Sequence, residues 1–542
     1  MQENLTFCFF VPLAYLIISI MKKLLFLLVL LATTPLPAQK TTVEIGPELK
    51  IERDLNFWGQ LHSDPTGHYV LLTEADGGLF SRRGITPTLQ KYDRKFQLVY
   101  SKELRSDQTD VLFGSMLYAK EKFLLCAQWL DKKKRKLTCT ATPVSLEGKV
   151  SKPQKVSVVQ YKNKDDQPTD VRWMMSDDTS KMLVATAADD NNDRLRVRIN
   201  LNIFDHQLAK IWGKEFLLPY TQEQLTIRSW ALANNGQVYL LGKVYEEKNN
   251  QEFKRRDGKR RPAYKMVIFR FDPTLEKAQE YRLELSDKFV TDVAFKLSPN
   301  NDLNCAGFYA NDTRGVIQGV FFTRLNGETG QAELATRKEL SARDIDNFDT
   351  QKDRSGKEGL DSKFEFKNLL LRADGGIVVT AEEAYHVTTS YWAAGQIYYH
   401  TTYYNNEIFL TSISPTGQIE WVRMIPKRQE FTDTDFFNSY MLMEHDGGMY
   451  FLYNDDEDNI ANPLTAKARR ISSFRDAVAA LVTVSSAGQM ERRKVFDAKE
   501  DADALMAPGN GRQISANELF FVTTRFKVFG AKRLRMGLIR VL

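Results

Sequence analysis

The stretch Asp446–Leu452, with the sequence DGGMYFL, joins a tight polar turn directly to an apolar run. Glycine accepts positive φ in such a turn, and an apolar run of this length is typical of a buried β-strand. A small polar turn followed at once by an apolar run returns eight times along the chain, at 64–72, 120–125, 177–184, 234–241, 299–305, 374–379, 446–452 and 516–521. The runs begin about 55 to 75 residues apart, which predicts repeated four-stranded units with extended connections.

The second half of each unit supports the same interpretation. The run Ile408–Ile413 is followed by the turn Ser414–Gly417 and by a second apolar run, Ile419–Val422. Proline presets φ in this turn and glycine accepts positive φ, so the pattern predicts a third and a fourth strand. We therefore expect an all-β fold, a single β-propeller of eight four-stranded blades. Seven blades is the alternative if one unit is an insertion, and the weakest unit is Leu112–Val159, whose first turn lacks glycine, asparagine and aspartate.

The two ends of the chain complement each other. The last unit offers strands near 511–515, 519–524 and 534–542, which is one strand short of a blade. Residues Thr42–Ile51 precede the first unit, have strand character and belong to no other unit. Because an unpaired sheet edge is a liability, we expect this N-terminal strand to pair into the last blade and close the propeller.

The segment Ser414–Trp421, with the sequence SPTGQIEW, resembles repeats of the quinoprotein-like and WD40-like propellers, and at the level of the repeat the resemblance extends over residues 42–542. Only Trp212 and Trp421 match the tryptophan position that recurs in quinoprotein dehydrogenases. The resemblance therefore implies a fold and a role as a binding or assembly platform, and no cofactor is predicted.

The N-terminus predicts export from a bacterial cell. From Met21 the chain has two lysines, an apolar run from Leu24 to Ala32 and small residues before Gln39, which together make a complete signal peptide. We thus predict a signal region at 1–38 and a propeller domain at 39–542, in a periplasmic, outer-membrane-associated or secreted protein. Lys22 and Lys23 interrupt the longer apolar stretch that begins at Phe7, so an integral membrane protein is disfavoured.

Composition and charge narrow the function only slightly. A hydrophobic content of 43% excludes global disorder, and a net charge of +6 over 542 residues is nearly neutral. The basic run 254–261 is the local exception, and a solvated hairpin tip is its simpler interpretation. No aromatic residues are interleaved there as stacking platforms, so we do not expect a nucleic-acid partner.

Motifs for catalysis and metal binding are sparse. The six histidines show no metal-ligand spacing, and no nucleophile elbow or phosphate loop stands in its required context. The acidic stretch Asp455–Asn459 lacks the glycine and the distal glutamate of a calcium loop, so no metal site is predicted. Cys126 and Cys139 flank a hairpin turn almost symmetrically, which allows either a disulfide or, as we favour, two small core residues.

The most unusual feature lies in the long connections between second and third strands and between blades: 74–84, 245–262, 341–363, 382–406 and 454–476. These connections leave one face of a propeller, and loops on a rigid scaffold commonly carry function. The connection 382–406 is rich in aromatic residues, which bind sugar faces and anchor protein interfaces. The candidate binding residues are Tyr385, His386, Tyr391, Trp392, Tyr398, Tyr399 and His400. The alternative is that these residues only extend two strands and pack on neighbouring blades.

Three functions remain open from the sequence. We favour an exported binding or scaffold protein that holds a protein or glycan partner on the long-loop face. A glycan hydrolase or lyase that uses loop carboxylates near the central channel is the alternative, and a structural component of an outer-membrane assembly is the third. The sequence leaves the oligomeric state open.

Overall fold

The structure is a computed structural model, and it describes residues 41–542 apart from sixteen short stretches. Those stretches are 52–54, 75–85, 105–111, 162–169, 191–195, 248–250, 257–258, 286–287, 313–314, 346–349, 353–355, 362, 394–395, 474–475, 502–503 and 526–531. The expected signal region at 1–38 lies outside the described residues, as does most of the connection 74–84.

Nearly all of the described secondary structure is β-strand, arranged in antiparallel sheets that we number in chain order. The first two strands are β1 (Thr41–Ile45) and β2 (Leu49–Ile51). Sheet 1 contains β3 (Leu55–Asp64), β4 (Gly67–Glu74), β5 (Thr88–Tyr92) and β6 (Leu98–Glu103). Sheet 2 contains β7 (Leu112–Tyr118), β8 (Lys122–Asp131), β9 (Lys136–Ser145) and β10 (Gln154–Gln160). Sheet 3 contains β11 (Asp170–Met175), β12 (Lys181–Asp190), β13 (Arg196–Asp205) and β14 (Lys210–Thr221).

The next two sheets carry insertions. Sheet 4 contains β15 (Leu225–Leu232), β16 (Val238–Tyr245), β19 (Tyr264–Phe271) and β20 (Gln279–Leu283), and a separate hairpin of β17 (Phe253–Arg256) and β18 (Lys259–Pro262) lies between its second and third strands. Sheet 5 contains β21 (Phe289–Leu297), β22 (Leu303–Ala310), β23 (Ile317–Leu325) and β24 (Ala332–Glu339). A short helix α1 (Ala342–Ile345) and the strands β25 (Thr350–Lys352) and β26 (Glu358–Leu360) follow it.

The last three sheets complete the described chain. Sheet 6 contains β27 (Phe364–Leu371), β28 (Ile377–Ala393), β29 (Gln396–Ile413), β30 (Ile419–Ile425) and β31 (Gln429–Thr432). Sheet 7 contains β32 (Met441–His445), β33 (Gly448–Asp456), β34 (Ala477–Val484) and β35 (Met490–Asp497). Sheet 8 contains β36 (Leu505–Met506), β37 (Arg512–Ser515), β38 (Glu518–Arg525) and β39 (Lys532–Val541), and β1 and β2 both pair with β39. Short 3-10 helices lie at Glu457–Asn459 and Pro508–Asn510.

The turns behave as their sequences predict, with one informative exception. Gly236 and Gly375 take φ values of 94° and 84° between the first and second strands of their sheets, where a side chain would be strained. In sheet 2 the same turn is made by Lys120, which takes a φ of 49° without glycine. The unit that looked weakest in sequence nevertheless forms a complete four-stranded sheet.

The core lies between neighbouring sheets. Successive apolar side chains along the second strand of each sheet pack alternately on the sheet before it and the sheet after it. In β4, Leu71 packs with Phe123 of sheet 2, whereas its neighbour Val70 packs with Phe520 of sheet 8. Successive strand residues point to opposite faces, so each second strand supplies two interfaces. Equivalent apolar clusters join sheet 2 to 3, 3 to 4, 4 to 5, 5 to 6, 6 to 7 and 7 to 8.

Four-stranded antiparallel sheets that pack face to face in chain order form a β-propeller. In sheets 1 to 7 the first strand of the four-stranded order is the inner strand and the fourth is the outer strand. In sheet 8 the outer position is taken by β1, whose Val43 pairs with Ile539 and whose Ile45 pairs with Gly537. Trp212 and Trp421, on outer strands, donate their indole N–H to Gly236 O and Ser486 O of the next sheet, each at 3.0 Å. Within the described part of the chain, no helix has the length and apolarity needed to cross a membrane.

Candidate functional site

The aromatic segment forms a long hairpin, not a loop. Strands β28 and β29 contain 17 and 18 residues, whereas the flanking β27 and β30 contain 8 and 7. Past a bulge at Glu383, their pairing is regular from Ala384 opposite Asn405 to Ala393 opposite Gln396. We call residues 384–393 and 396–405 the aromatic hairpin. At about 3.3 Å per residue it extends roughly 30 Å beyond the sheet.

The hairpin forms here because its residues favour strands and offer nothing that ends one. Between Ala384 and Asn405 the sequence is rich in tyrosine and threonine, which are strand formers. No aspartate, glutamate, lysine or arginine occurs in these 22 residues, although 27% of the chain is charged. The residues extend two strands, as one interpretation of the sequence expects. Their role as a binding platform stays a prediction.

The candidate residues divide between the two faces of the hairpin. On one face the ring of Tyr391 stacks on that of Tyr398 at 5.5 Å and on His400 at 5.2 Å, with Tyr385 nearer the base. The other face carries His386, Trp392 and Tyr399. Side chains are most exposed near the tip: 48% for Tyr391, 70% for Trp392, 41% for Tyr398 and 68% for Tyr399. Both faces therefore present aromatic surface to solvent.

His400 is fixed by a residue outside the hairpin. Its Nδ1 lies 2.5 Å from Asp433 Oδ2, and its Nε2 lies 3.3 Å from the Tyr391 hydroxyl. The backbone of Asp433 also donates from N to Thr401 O, at 2.7 Å, and its φ of 61° is one that aspartate tolerates. The hydrogen bond from His400 lowers the pKa of Asp433. These contacts hold the middle of the hairpin against the connection that follows sheet 6.

The base of the hairpin contains a buried ion pair. Lys427 Nζ lies 2.9 Å from Glu382 Oε1, and neither side chain is exposed. The ammonium also donates to Asn405 O at 2.6 Å and to Gln429 Oε1 at 3.1 Å. Burial lowers the pKa of Lys427, and the charge of Glu382 opposes that shift. Because a buried ammonium needs all of its partners, this pair fixes the hairpin to the segment that follows β30.

A polar network extends from this pair into sheet 7. Glu382 Oε2 accepts from Asn405 Nδ2 and from Ser439 Oγ, each at 2.8 Å. Asn438 Nδ2 donates to Asn405 Oδ1 at 2.9 Å, and Gln429 Nε2 donates to Asn454 O at 2.9 Å. The hairpin is thus held by Lys427 and by side chains of the connection between sheets 6 and 7, which is the support that a preorganised binding element needs.

Asp455 follows Asn454 in β33, at the end of this network in sheet 7. It belongs to the acidic stretch Asp455–Asn459, for which no calcium site was predicted. It is fully buried, its Oδ1 accepts from Asn459 Nδ2 at 2.7 Å, and its Oδ2 lies 3.7 Å from Arg492 Nη1. Burial raises the pKa of Asp455 to about 6, against the opposing charge of Arg492. Among the described residues, no group of three or more histidine, cysteine, aspartate or glutamate side chains could hold a metal ion.

A second feature lies on the inner strands, and the sequence analysis missed it. One extra residue interrupts the pairing in the first half of the inner strand in five sheets, and these residues are Trp58, Gly114, Arg228, Thr291 and Lys367. Sheet 8 has a further one at Ile514, near the end of β37. Such bulges re-aim side chains and occur next to functional sites. In sheets 4, 5 and 6 two consecutive polar residues interrupt the apolar alternation here, at 228–229, 291–292 and 367–368. This pattern was the signal for a bulge that the sequence offered.

The inner strands carry different chemistry on different sheets. Trp58 of sheet 1 meets Phe113 of sheet 2 edge to face at 5.4 Å. Arg228 Nη2 of sheet 4 lies 3.2 Å from Asp292 Oδ1 of sheet 5, and burial raises the pKa of Asp292 while Arg228 opposes that shift. Hydrolysis of a glycoside uses two carboxyl groups close to each other. The partner of Asp292 is the guanidinium of Arg228 and not a second carboxyl group.

The cysteines and the basic run have simpler roles. Cys126 and Cys139 are free and buried, and burial raises the pKa of both thiols. They are not directly opposite, because Cys126 pairs with Ala141 and Cys139 with Gln128. In the basic run, Lys254 lies 3.3 Å from carboxylates of both Glu246 and Glu247, which lie in the connection that precedes its hairpin.

Comparison with known proteins identifies no family for this chain. No family model and no curated protein matches it. Among solved structures, polysaccharide lyase Uly1 is similar with a TM-score of 0.38, 8% identity and coverage of 92% of this chain and 100% of that one. The WD40 domain of SCAP from fission yeast has a TM-score of 0.39, 8% identity and coverage of 92% and 98%. An alpha-L-arabinanase from Penicillium chrysogenum has a TM-score of 0.30, 9% identity and coverage of 64% and 94%. Likeness at this level carries no information about activity or ligand.

Proposed function

We propose that this protein is an exported binding or scaffold protein, and that the aromatic hairpin holds a protein or glycan partner. One observation carries the proposal: an uncharged, aromatic hairpin projects from a propeller and is braced at its base by the buried pair of Lys427 and Glu382. Tyrosine and tryptophan dominate the energetics of recognition sites, and charged residues are depleted at their centres. Rigid support lowers the entropy lost on binding.

The scaffold in this proposal is one ring of eight blades, each blade being one of the eight sheets. The pairing of Val43 with Ile539 and the shared core of Val70 and Phe520 support closure between sheet 8 and sheet 1. A closed ring gives the hairpin a body that does not deform when a partner binds. Export by the segment 1–38 would place this binding element in the cell envelope or outside the cell.

The test compares partner capture by the wild type and by a variant with Tyr391→Ala, Trp392→Ala and Tyr399→Ala. Both proteins are photo-cross-linked in the producing cells, and immobilised copies are tested against a panel of soluble glycans. We expect the variant to lose at least a hundredfold in affinity, since aromatic anchors contribute about 1 to 3 kcal/mol each.

The matched control removes exposed apolar side chains elsewhere, by Leu98→Ala, Val99→Ala and Ile211→Ala on outer strands of sheets 1 and 3. This control should retain the partner. Equal capture by the aromatic variant and the wild type would reject the proposal.

A further inference from the structure

The aromatic hairpin has one long edge that no strand covers. Residues Tyr385–Ala393 of β28 pair with β29 on one side only, since the pairing of β27 ends at Glu383. The opposite edge of the hairpin is better covered, because β31 pairs with residues 402–405 and Asp433 N donates to Thr401 O. The edge of β28 therefore offers nine residues, about 30 Å, whose outward backbone groups have no strand partner among the described residues.

The sequence of this edge lacks three features by which proteins prevent strands from pairing between molecules. Charged residues, proline and bulges normally protect an exposed edge. The sequence YHVTTSYWA at 385–393 has no charged residue and no proline, and its register with β29 is unbroken. Long, flat and uncharged edges of strong strand formers are templates for another strand.

The rest of the molecule provides an internal comparison. Each of the eight outer edge strands carries at least one charged residue, at Glu44, Lys102, Lys155, Lys210, Arg282, Lys338, Arg423 and Arg493. The outer edges of the sheets thus carry charge, whereas the hairpin edge carries none. This contrast separates the hairpin edge from an ordinary outer strand.

The unprotected edge is complementary to itself. When two copies are placed antiparallel about a two-fold axis at Thr389, Thr389 meets Thr389, Thr388 meets Ser390 and Val387 meets Tyr391. Further out, His386 meets Trp392 and Tyr385 meets Ala393. Hydroxyl pairs and aromatic pairs with β-branched residues stabilise antiparallel strands, and no like charges meet. One register therefore uses all nine residues of the edge.

We propose that the edge 385–393 pairs with the same edge of a second copy, which makes a symmetric dimer with a four-stranded sheet across the interface. This inference rests on the proposed role of the hairpin as the binding element, and it names another copy of the chain as a partner. An isologous interface of this kind closes on itself, so association stops at two copies.

The test measures the mass of the full chain by sedimentation velocity and light scattering at 1 to 100 μM, a range chosen around ordinary interface affinities of about micromolar. We expect the wild type to be a dimer. Thr389→Lys and Thr389→Glu each place like charges opposite each other at the axis, so each variant alone should have half the mass. An equimolar mixture of the two variants should recover the dimer, because opposite charges then meet.

The matched control is Gln396→Lys, which adds the same charge to the same hairpin on the strand outside the interface, and it should remain dimeric. As a second readout of register, Thr389→Cys copies should form an intermolecular disulfide under mild oxidation, whereas Gln396→Cys copies should not. The three cysteines that the structure describes, Cys126, Cys139 and Cys305, are buried and do not compete. These variants alter exposed positions, and an unchanged melting temperature verifies that each folds.

A monomeric wild type at 100 μM overturns the proposal, as does a dimer that survives Thr389→Lys. Pairing of this edge with a strand of a different protein or contact with a lipid surface would produce that monomeric result. The Thr389 variants keep all aromatic side chains, so they test the dimer without removing the side chains that the capture test concerns, and they are also assayed for capture. Loss of the dimer with capture retained, or the reverse, identifies which of the two proposals fails.

Discussion

Lys427 Nζ lies 2.9 Å from Glu382 Oε1, with both side chains completely buried at the base of the aromatic hairpin. Burying two charges costs desolvation free energy, and the cost is offset only when the remaining hydrogen-bonding groups are satisfied. Here Lys427 has two further acceptors and Glu382 two further donors. These contacts join the base of the hairpin to the segment that follows β30.

Lys427→Met should destabilise the protein by about 3 to 5 kcal/mol, because it leaves the Glu382 carboxylate buried without its partner. Combining it with Glu382→Gln should recover part of the loss, since the uncompensated charge is removed. Unfolding in urea measures both. Lys367→Met is the control, because Lys367 is partly exposed and lies 3.8 Å from Glu382. Equal effects of Lys367→Met and Lys427→Met would contradict the conclusion that Lys427 is the main charged partner of Glu382.

Deleting residues 41–51 should lower the stability strongly and cause aggregation, because it exposes the edge of β39 that β1 and β2 cover. The deletion also removes the ion pair of Glu44 and Arg540, at 2.8 Å. Thermal unfolding and light scattering report the two effects. Two point variants test the pairing without shortening the chain. Val43 packs against the core between sheets 7 and 8, whereas Thr42 is exposed, so Val43→Lys should destabilise the protein more than Thr42→Lys. A deleted protein that melts like the intact one would reject the pairing.

The repeat was predictable from sequence because turn and strand signals are local. Gly236, Gly375 and Gly447 all adopt the positive φ that their turns require. Lys120 does so without the glycine signal, which explains why the second unit looked weak although it is complete. The local sequence was sufficient to predict the turns. The residues that pack face to face between sheets could be identified only from the structure.

The candidate site was less predictable, for a physical reason. Alternating aromatic residues indicate a strand, and they do not reveal whether a neighbouring sheet covers it. The support of the hairpin by Lys427, Asn438 and Asp433 depends on contacts between segments distant in sequence. The bulges at Trp58 and Arg228 were missed for the same reason, since a bulge is defined by the partner strand.

Replacing Tyr391, Trp392 and Tyr399 by alanine should change the free energy of unfolding by less than about 1 kcal/mol, because exposed side chains contribute little to stability. Phe409→Ala is the contrasting variant. Phe409 lies in the buried part of β29, where its ring packs on Phe308 at 5.1 Å, and its loss should cost about 3 to 5 kcal/mol. Thermal melting of the two variants distinguishes the hairpin from the core. A large drop for the triple variant would mean that these side chains support the fold.

Asp455 predicts a pH dependence with a definite sign. Burial raises the pKa of Asp455 to about 6, above the ordinary value of 3.8 for an aspartate. A carboxyl group whose pKa is higher in the folded state is easier to ionise when the chain unfolds. As the pH rises from about 4 to about 6, the carboxyl group ionises more readily in the unfolded chain, so the free energy of unfolding falls. Below the pKa of the unfolded state the group is protonated in both states, and this loss of stability is absent. Integrated over that window, the loss is on the order of 3 kcal/mol.

Asp455→Asn removes this titration and keeps the shape of the side chain. The free energy of unfolding of the wild type, minus that of Asp455→Asn, should therefore fall between pH 4 and pH 6 and stay flat above pH 7. Urea unfolding of both proteins from pH 3.5 to 8 measures the difference, in which the other titrating groups largely cancel. Asp458→Asn, at an exposed position of the same acidic stretch, is the control and should give a difference with little slope. A difference for Asp455→Asn that rises between pH 4 and pH 6 would mean that attraction to Arg492 outweighs the desolvation of the carboxylate.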